Sequence, residues 1–154
     1  MDIKYINPFV EGFLNVMPVL GFQDVKRNSV RVREDNTIQY SGVALMLGIV
    51  GDIKGNVIYG LELDSAKKIA SKMMMGMPVE ELNDMAQSAI SELSNMLTAN
   101  ASTNFEKMGI NINISTPTLM YGESFEAKMN TETVLCIEMM ADGIPLEINV
   151  ALQI

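Results

Sequence analysis

Apolar residues recur at helical spacing near the start of the chain, at Ile6, Phe9, Val10, Phe13, Leu14, Met17 and Leu20. Residues 5–20 therefore predict a helix, with Asn7 and Pro8 as cap and first-turn pair and Gly21 as its stop. Weak alternation over 24–33 predicts a strand, and Glu34-Asp35-Asn36 a turn. A second strand rises from Thr37 into the apolar run Val43 to Val50; Gly51-Asp52 turns it, and 53–63 returns as the second arm of a hairpin. A short helix follows, capped by Asp64 or Ser65 and ended by Gly76, with Pro78 beyond. The next segment, from Asn83 or Asp84 to Met108, contains no Gly or Pro and predicts one long helix closed by Gly109. Beyond it the pattern predicts a short strand over 110–115 with Pro117 at its end, a turn at Tyr121-Gly122, and a strand over 133–140. Asp142-Gly143 then makes a hairpin turn into a closing strand over 144–154.

The two halves echo each other: helix, then a Gly-marked hairpin with an apolar arm, at 5–63 and again at 84–154. Either half alone would leave an apolar sheet face open. The expected architecture is thus one α+β domain, pseudo-symmetric, its mostly antiparallel sheet built from hairpins and covered on one face by long helices.

The long helix is the unusual element. With Ser88 at zero on a wheel of about 100° per residue, Glu92 falls near about 40°, Asn95 near about 340° and Ala99 near about 20°, with Ser91 and Ser102 within about 60°. Opposite them lie Ala86, Ile90, Leu93, Leu97, Ala101 and Met108, a core-facing side. A helix that only covered a core would carry Lys, Arg and Glu on its outer face. This one places small residues around a single Glu and a single Asn, which lets another surface approach closely. Glu11 and Asn15, four apart on the first helix and crowded by bulky neighbours, read as ordinary surface.

Composition narrows the chemistry. The 154 residues include 14 Met, expected mainly to fill an irregular core, and no His. Without histidine, Ser–His and Cys–His nucleophile pairs and His-based metal sites are excluded. Cys136, within the apolar run 134–140, reads as a reduced thiol in a strand. The net charge of −8, with basic residues scattered, makes nucleic acid an unsuitable partner. No apolar run approaches the roughly 20 residues of a membrane span. No secretory leader pattern opens the chain, so a cytoplasmic location is expected and no membrane insertion. The glycines at 48, 51, 55 and 60 lack the Gly-Lys-Ser/Thr ending of a phosphate loop. Asp52, Asp64 and Asp142 suit turns and a cap rather than a hard-cation loop.

The segment from Ser88 to Met96 resembles the signature of the CheC/CheX/FliY chemotaxis phosphatases: Ser or Asp, three residues, Glu, two residues, Asn, and Pro about 22 residues later. Ser88, Glu92, Asn95 and Pro117 fill those places. The stretches YINPFVEGFLNVMPVLGF, GIVGDIKGNVIYGL, ASKMMMGMPVEELNDMAQSA and VLCIEMMADGIPLEINV are similar to the CheX-type subgroup, so the likeness spans nearly the whole chain.

The resemblance implies a CheC-like fold and hydrolysis of the aspartyl-phosphate of a phosphorylated CheY-type response regulator. Glu92 would pair with the regulator's active-site Lys and Asn95 would orient the attacking water. Ser88, Ser91 and Ala99 would line the contact, and Pro117 would be structural. The chain would need no cofactor of its own, Mg²⁺ being held by the regulator. It also implies one site per chain and a homodimer joined through sheet edges. The alternative is a non-catalytic adaptor or flagellar-switch module docking a regulator through the same helix; a purely structural domain would instead bury Glu92 and Asn95 against its own chain.

Overall fold

The structure is a computed structural model and describes residues 3–153. A 3-10 turn at Ile3–Tyr5 leads into α1 (Asn7–Val19), and β1 (Val25–Arg33), β2 (Thr37–Gly51) and β3 (Lys54–Leu61) follow. Next come α2 (Leu63–Met73) and α3 (Asp84–Lys107), then β4 (Ile112–Ile114), β5 (Thr118–Lys128), β6 (Val134–Ala141) and β7 (Ile144–Gln153).

The strands form one antiparallel sheet in the order β1-β6-β7-β3-β2-β4. The outer edge of β2 is shared: β5 pairs along 37–46 and β4 along 49–51. Hairpins β2–β3 and β6–β7 sit side by side, joined through β3 and β7, and the strand preceding each hairpin crosses to the other one: β1 pairs β6, and β5 pairs β2. The expected pseudo-symmetry thus takes the form of an exchange that stitches the halves into one sheet.

Alternation decides the two faces. Val43, Leu45, Leu47, Val57, Tyr59, Ile137, Ile148 and Val150 point toward the helices and form the main core with Phe9, Phe13, Ile69, Ile90, Leu93 and Phe105. The opposite face carries a smaller cluster, including Ile38, Ala44, Ile58, Met129, Val134 and Ala151, beside a Tyr40–Phe125 ring stack. Helices α1 and α3 pack closely. A Cβ on Gly12 would lie 3.0 Å from the Leu97 carbonyl, Asn104 donates to the Pro8 carbonyl at 3.0 Å, and Phe9 meets Phe105 edge to face. Asn15 donates to Asn100 at 3.1 Å, a tie between the two helices, while Glu11 faces solvent.

Several expectations need correction. Tyr121-Gly122 is not a turn but lies inside the 11-residue β5, which pairs with β2. Only Ala127 of β5 is fully buried, so this edge strand lacks the apolar alternation that marks strands in sequence. The cap of α1 is Ile6 rather than Asn7, and that of α2 is Glu62 rather than Asp64 or Ser65, neither with a side-chain hydrogen bond. Met108 and Leu14 are exposed, Met108 because it lies at the C-cap where the helix leaves the sheet. Among the described methionines, Met17, Met129 and Met139 are buried and Met46, Met73, Met74, Met96 and Met120 pack half-buried against the core, as expected, whereas Met75, Met77, Met85 and Met108 stand exposed.

Candidate functional site

Helix α3 begins at an Asn83 cap, whose side chain accepts from the Ala86 amide at 2.9 Å. It ends before Gly109, which adopts φ +79. Its buried stripe is Ala86, Ile90, Leu93, Leu97 and Ala101, as the wheel predicts, with Phe105 at the far end. Buried Thr98 beside that stripe ties the helix to the sheet and fixes its rotation. Thr98 Oγ1 donates to the Ser94 carbonyl at 2.7 Å, and the Tyr59 hydroxyl on β3 lies 2.8 Å from Thr98 Oγ1. With that side locked onto the sheet, the opposite side must face outward.

Ser88 and Glu92 are exposed on that outward side, and Ser91 and Asn95 are half-buried. All four line an open groove of about 580 Å³ together with Asp84 and Gln87; its other wall is Thr116, Pro117 and Leu119. Pro117, 22 residues after Asn95 in sequence, therefore stands beside the helical signature in space. Its loop is pinned to β2 by a reciprocal pair: the Ser115 amide donates to the Gly48 carbonyl at 3.0 Å, and the Gly48 amide donates to Ser115 Oγ at 2.8 Å. Leu119 pairs with Leu45 across the sheet, which fixes the end of that wall. Ala99 is exposed but lies one turn further along α3, outside the groove lining.

The Glu92 carboxylate and the Asn95 carboxamide have no hydrogen bond or ion pair with any described residue. A half-buried amide with two donors and an acceptor uncommitted is available to a molecule outside the fold. This is the opposite of what a purely structural motif would require. Thr116, Leu119, Asp84 and Gln87 were not singled out from sequence. The 22-residue spacing to Pro117 was the only signal pointing at that wall.

A second concavity, of about 240 Å³, opens on the outer sheet face beside Arg33, Tyr40 and Glu147. Some of its polar groups are tied to one another: Arg33 donates to Glu147 at 3.2 Å, and Asn149 donates to Tyr40 at 3.0 Å and to Glu147 at 2.7 Å, while Arg33 Nε and Asn149 Oδ1 are buried without a partner among the described residues. Burial pushes the Tyr40 phenol above its ordinary range, and it pushes the neighbouring Cys136 thiol up as well. A raised thiol pKa disfavours the reactive thiolate, in agreement with Cys136 as a buried free cysteine. Among the described residues no three His, Cys, Asp or Glu side chains converge as a metal site, and no helix is long and apolar enough to cross a membrane.

Residues 43–140 match the family model described as chemotaxis phosphatase CheX. Over 129 residues, 83% of this chain and 82% of the relative, the sequence is 31% identical to the CheY-P phosphatase CheX of Thermotoga maritima. The chain belongs to the CheX family. The fold of this CheX-family chain agrees closely with that of the chemotaxis protein CheX from Desulfovibrio desulfuricans, with a TM-score of 0.87 at 20% identity over 98% of this chain and 100% of the other. It also matches the CheX–CheY–BeF3–Mg²⁺ complex of Borrelia burgdorferi, with a TM-score of 0.77 at 21% identity over 99% and 100% of the two chains. The expected CheC-like α+β fold is thereby established.

Proposed function

We propose that this protein is a phosphatase that hydrolyses the aspartyl-phosphate of a phosphorylated CheY-type response regulator in chemotaxis, and that the α3 groove is its working surface. The observation that carries the reading is the pair Glu92 and Asn95, one turn apart on a locked helix, unpartnered within the fold and facing a groove closed by Pro117. In the reaction, water attacks phosphorus in line as the bond to the aspartate oxygen breaks. Inorganic phosphate and the free carboxylate are the products. The transition state needs positioning and charge stabilisation more than a protein nucleophile. The Asn95 carbonyl would accept a proton bond from the attacking water and so orient its lone pair, as a Gln does in small GTPases. Glu92 would pair with the regulator's active-site Lys and hold the two proteins in register. Ser88 and Ser91 leave room for that approach, Ala99 extends the contact, and Pro117 shapes the opposite wall. Mg²⁺ would sit in the regulator's own acidic pocket. A cytoplasmic homodimer, joined through an edge of the sheet, belongs to the same proposal.

The test follows the decay of phosphorylated CheY-type regulator with and without the protein. Wild type should accelerate decay, and Asn95→Ala and Glu92→Ala should each lose roughly 10²–10³ of that acceleration, the usual cost of one positioned group. If the wild type leaves decay unchanged, or both variants retain full activity, the reading fails. Binding of the regulator with no turnover would favour the adaptor instead.

A further inference from the structure

Just before α3 the chain spends methionines where folding gains nothing from them. Met75 is 96% exposed and sits at φ +61, a left-handed backbone that disfavours any residue with a Cβ. Gly76, next to it, adopts the same region without strain. Met77 and Met85 are 55% and 61% exposed and share one shallow concavity of about 480 Å³. The loop is not loose. The Gly76 amide donates to the Ser71 carbonyl at 2.8 Å, and Ser71 Oγ donates to the Met77 carbonyl at 2.7 Å. A rigid loop therefore presents side chains that the core does not use.

This patch is continuous with the groove. Met85 lies three residues before Ser88 and seven before Glu92, at about 60° from Ser88 on the same wheel, so it extends the outward stripe by one turn. Asp84 lines the groove at that junction, and Glu80 and Glu81 border the methionines. None of these carboxylates has an ion-pair partner among the described residues.

We propose that Met75, Met77 and Met85 form an apolar docking shelf for the same response regulator, receiving a partner surface of apolar side chains bordered by basic ones. The inference rests on the reading of the α3 groove as the phosphatase site, and it adds a place where affinity is set apart from chemistry. Methionine suits the task because its flexible thioether adapts to a partner's contour, and such residues are enriched at interfaces.

The experiment measures Kd for the CheY-type regulator treated with beryllium fluoride and Mg²⁺, together with steady-state turnover of the phosphorylated regulator. The double variant Met77→Ser/Met85→Ser should raise Kd and KM tenfold or more with kcat within twofold, whereas Asn95→Ala should lower kcat with Kd nearly unchanged. Met75→Gly provides a control that misfolding cannot imitate. It relieves the left-handed strain, so Tm should hold or rise, while affinity falls severalfold. Wild-type Kd in both methionine variants overturns the shelf. So does loss of self-association in these variants with regulator affinity intact, which would assign the patch to a second copy of the chain. Wild-type protein that neither binds nor dephosphorylates the regulator overturns the reading of the groove and the shelf with it.

Discussion

The contact between Tyr59 and Thr98 decides which side of α3 faces outward, and its energetics can be worked from the hydrogen-bond directions. Thr98 has one hydroxyl proton, and the geometry commits it to the Ser94 carbonyl at 2.7 Å. The Tyr59 hydroxyl, 2.8 Å away, must then be the donor to Thr98. Tyr59 is 1% exposed and burial pushes its phenol far above 10.0, so that proton stays in place. Tyr59→Phe removes the donor and leaves Thr98 with its own bond made, which costs about 1 kcal/mol, the net worth of one buried hydrogen bond. Thr98→Val leaves a buried phenolic donor with no acceptor, which costs ~2–3 kcal/mol. For a chain of this size 1 kcal/mol corresponds to roughly 2–4 °C, so Tm should fall by ~2–4 °C in the first variant and about two to three times as far in the second. The double variant should cost less than the sum of the two. Urea unfolding at constant m, checked by thermal scans, measures all three. If Thr98→Val costs no more than Tyr59→Phe, the assigned donor direction is wrong.

Two further outcomes follow from other parts of the molecule. A homodimer requires light scattering to give twice the 17.0 kDa chain mass at micromolar concentration, and a persistent single-chain mass refutes it. Stability should fall at alkaline pH: burial raises Cys136 above 9.0 and Tyr40 and Tyr59 above 10.0, so the unfolded chain loses those protons first. The contribution is full below pH 9.0 and declines as pH rises, by up to about 1.4 kcal/mol per unit for each group, and a urea midpoint constant from pH 8 to 11 would refute it.

The long helix was legible because its apolar residues repeat at 3.6 over six turns and its cap is a side chain that reads directly, Asn83. The hairpins were legible for a similar reason, since Gly51 and Gly143 both need positive φ at their turns. β5 was not. Its partner β2 holds one side, its other edge pairs with no strand among the described residues, and TLMYGESFEAK carries mixed polarity on both faces. The crossing of β1 and β5 between hairpins was also hidden, because pairing partners more than 70 residues apart leave no local pattern. At the site, the helical residues followed from one wheel, while Thr116 and Leu119 depended on how Ser115 ties the return loop to Gly48. Most described methionines serve the core as expected, but which ones stand out, Met75, Met77, Met85 and Met108, was hidden, because composition cannot distinguish a flexible apolar residue that fills a gap from one held out at the surface.

The two faces of α3 divide the work in a way that explains its composition. The inner face is closed: every polar group there, Ser94, Thr98 and Asn104, finds a partner within the chain. The outer face is open, with a carboxylate and an amide that nothing in the described fold satisfies. In water such groups cost nothing, because solvent supplies their hydrogen bonds. Against a partner surface they lose that water, and leaving them unpaired would cost roughly 1–3 kcal/mol each. A docked surface must therefore offer a cation for Glu92 and a polar atom or bound water for Asn95, or be rejected. On the proposed reading the regulator's lysine and the attacking water meet those two demands, so the groups that select the partner also place the reactants. Histidine has no part in that scheme, and a chain without one can carry it out.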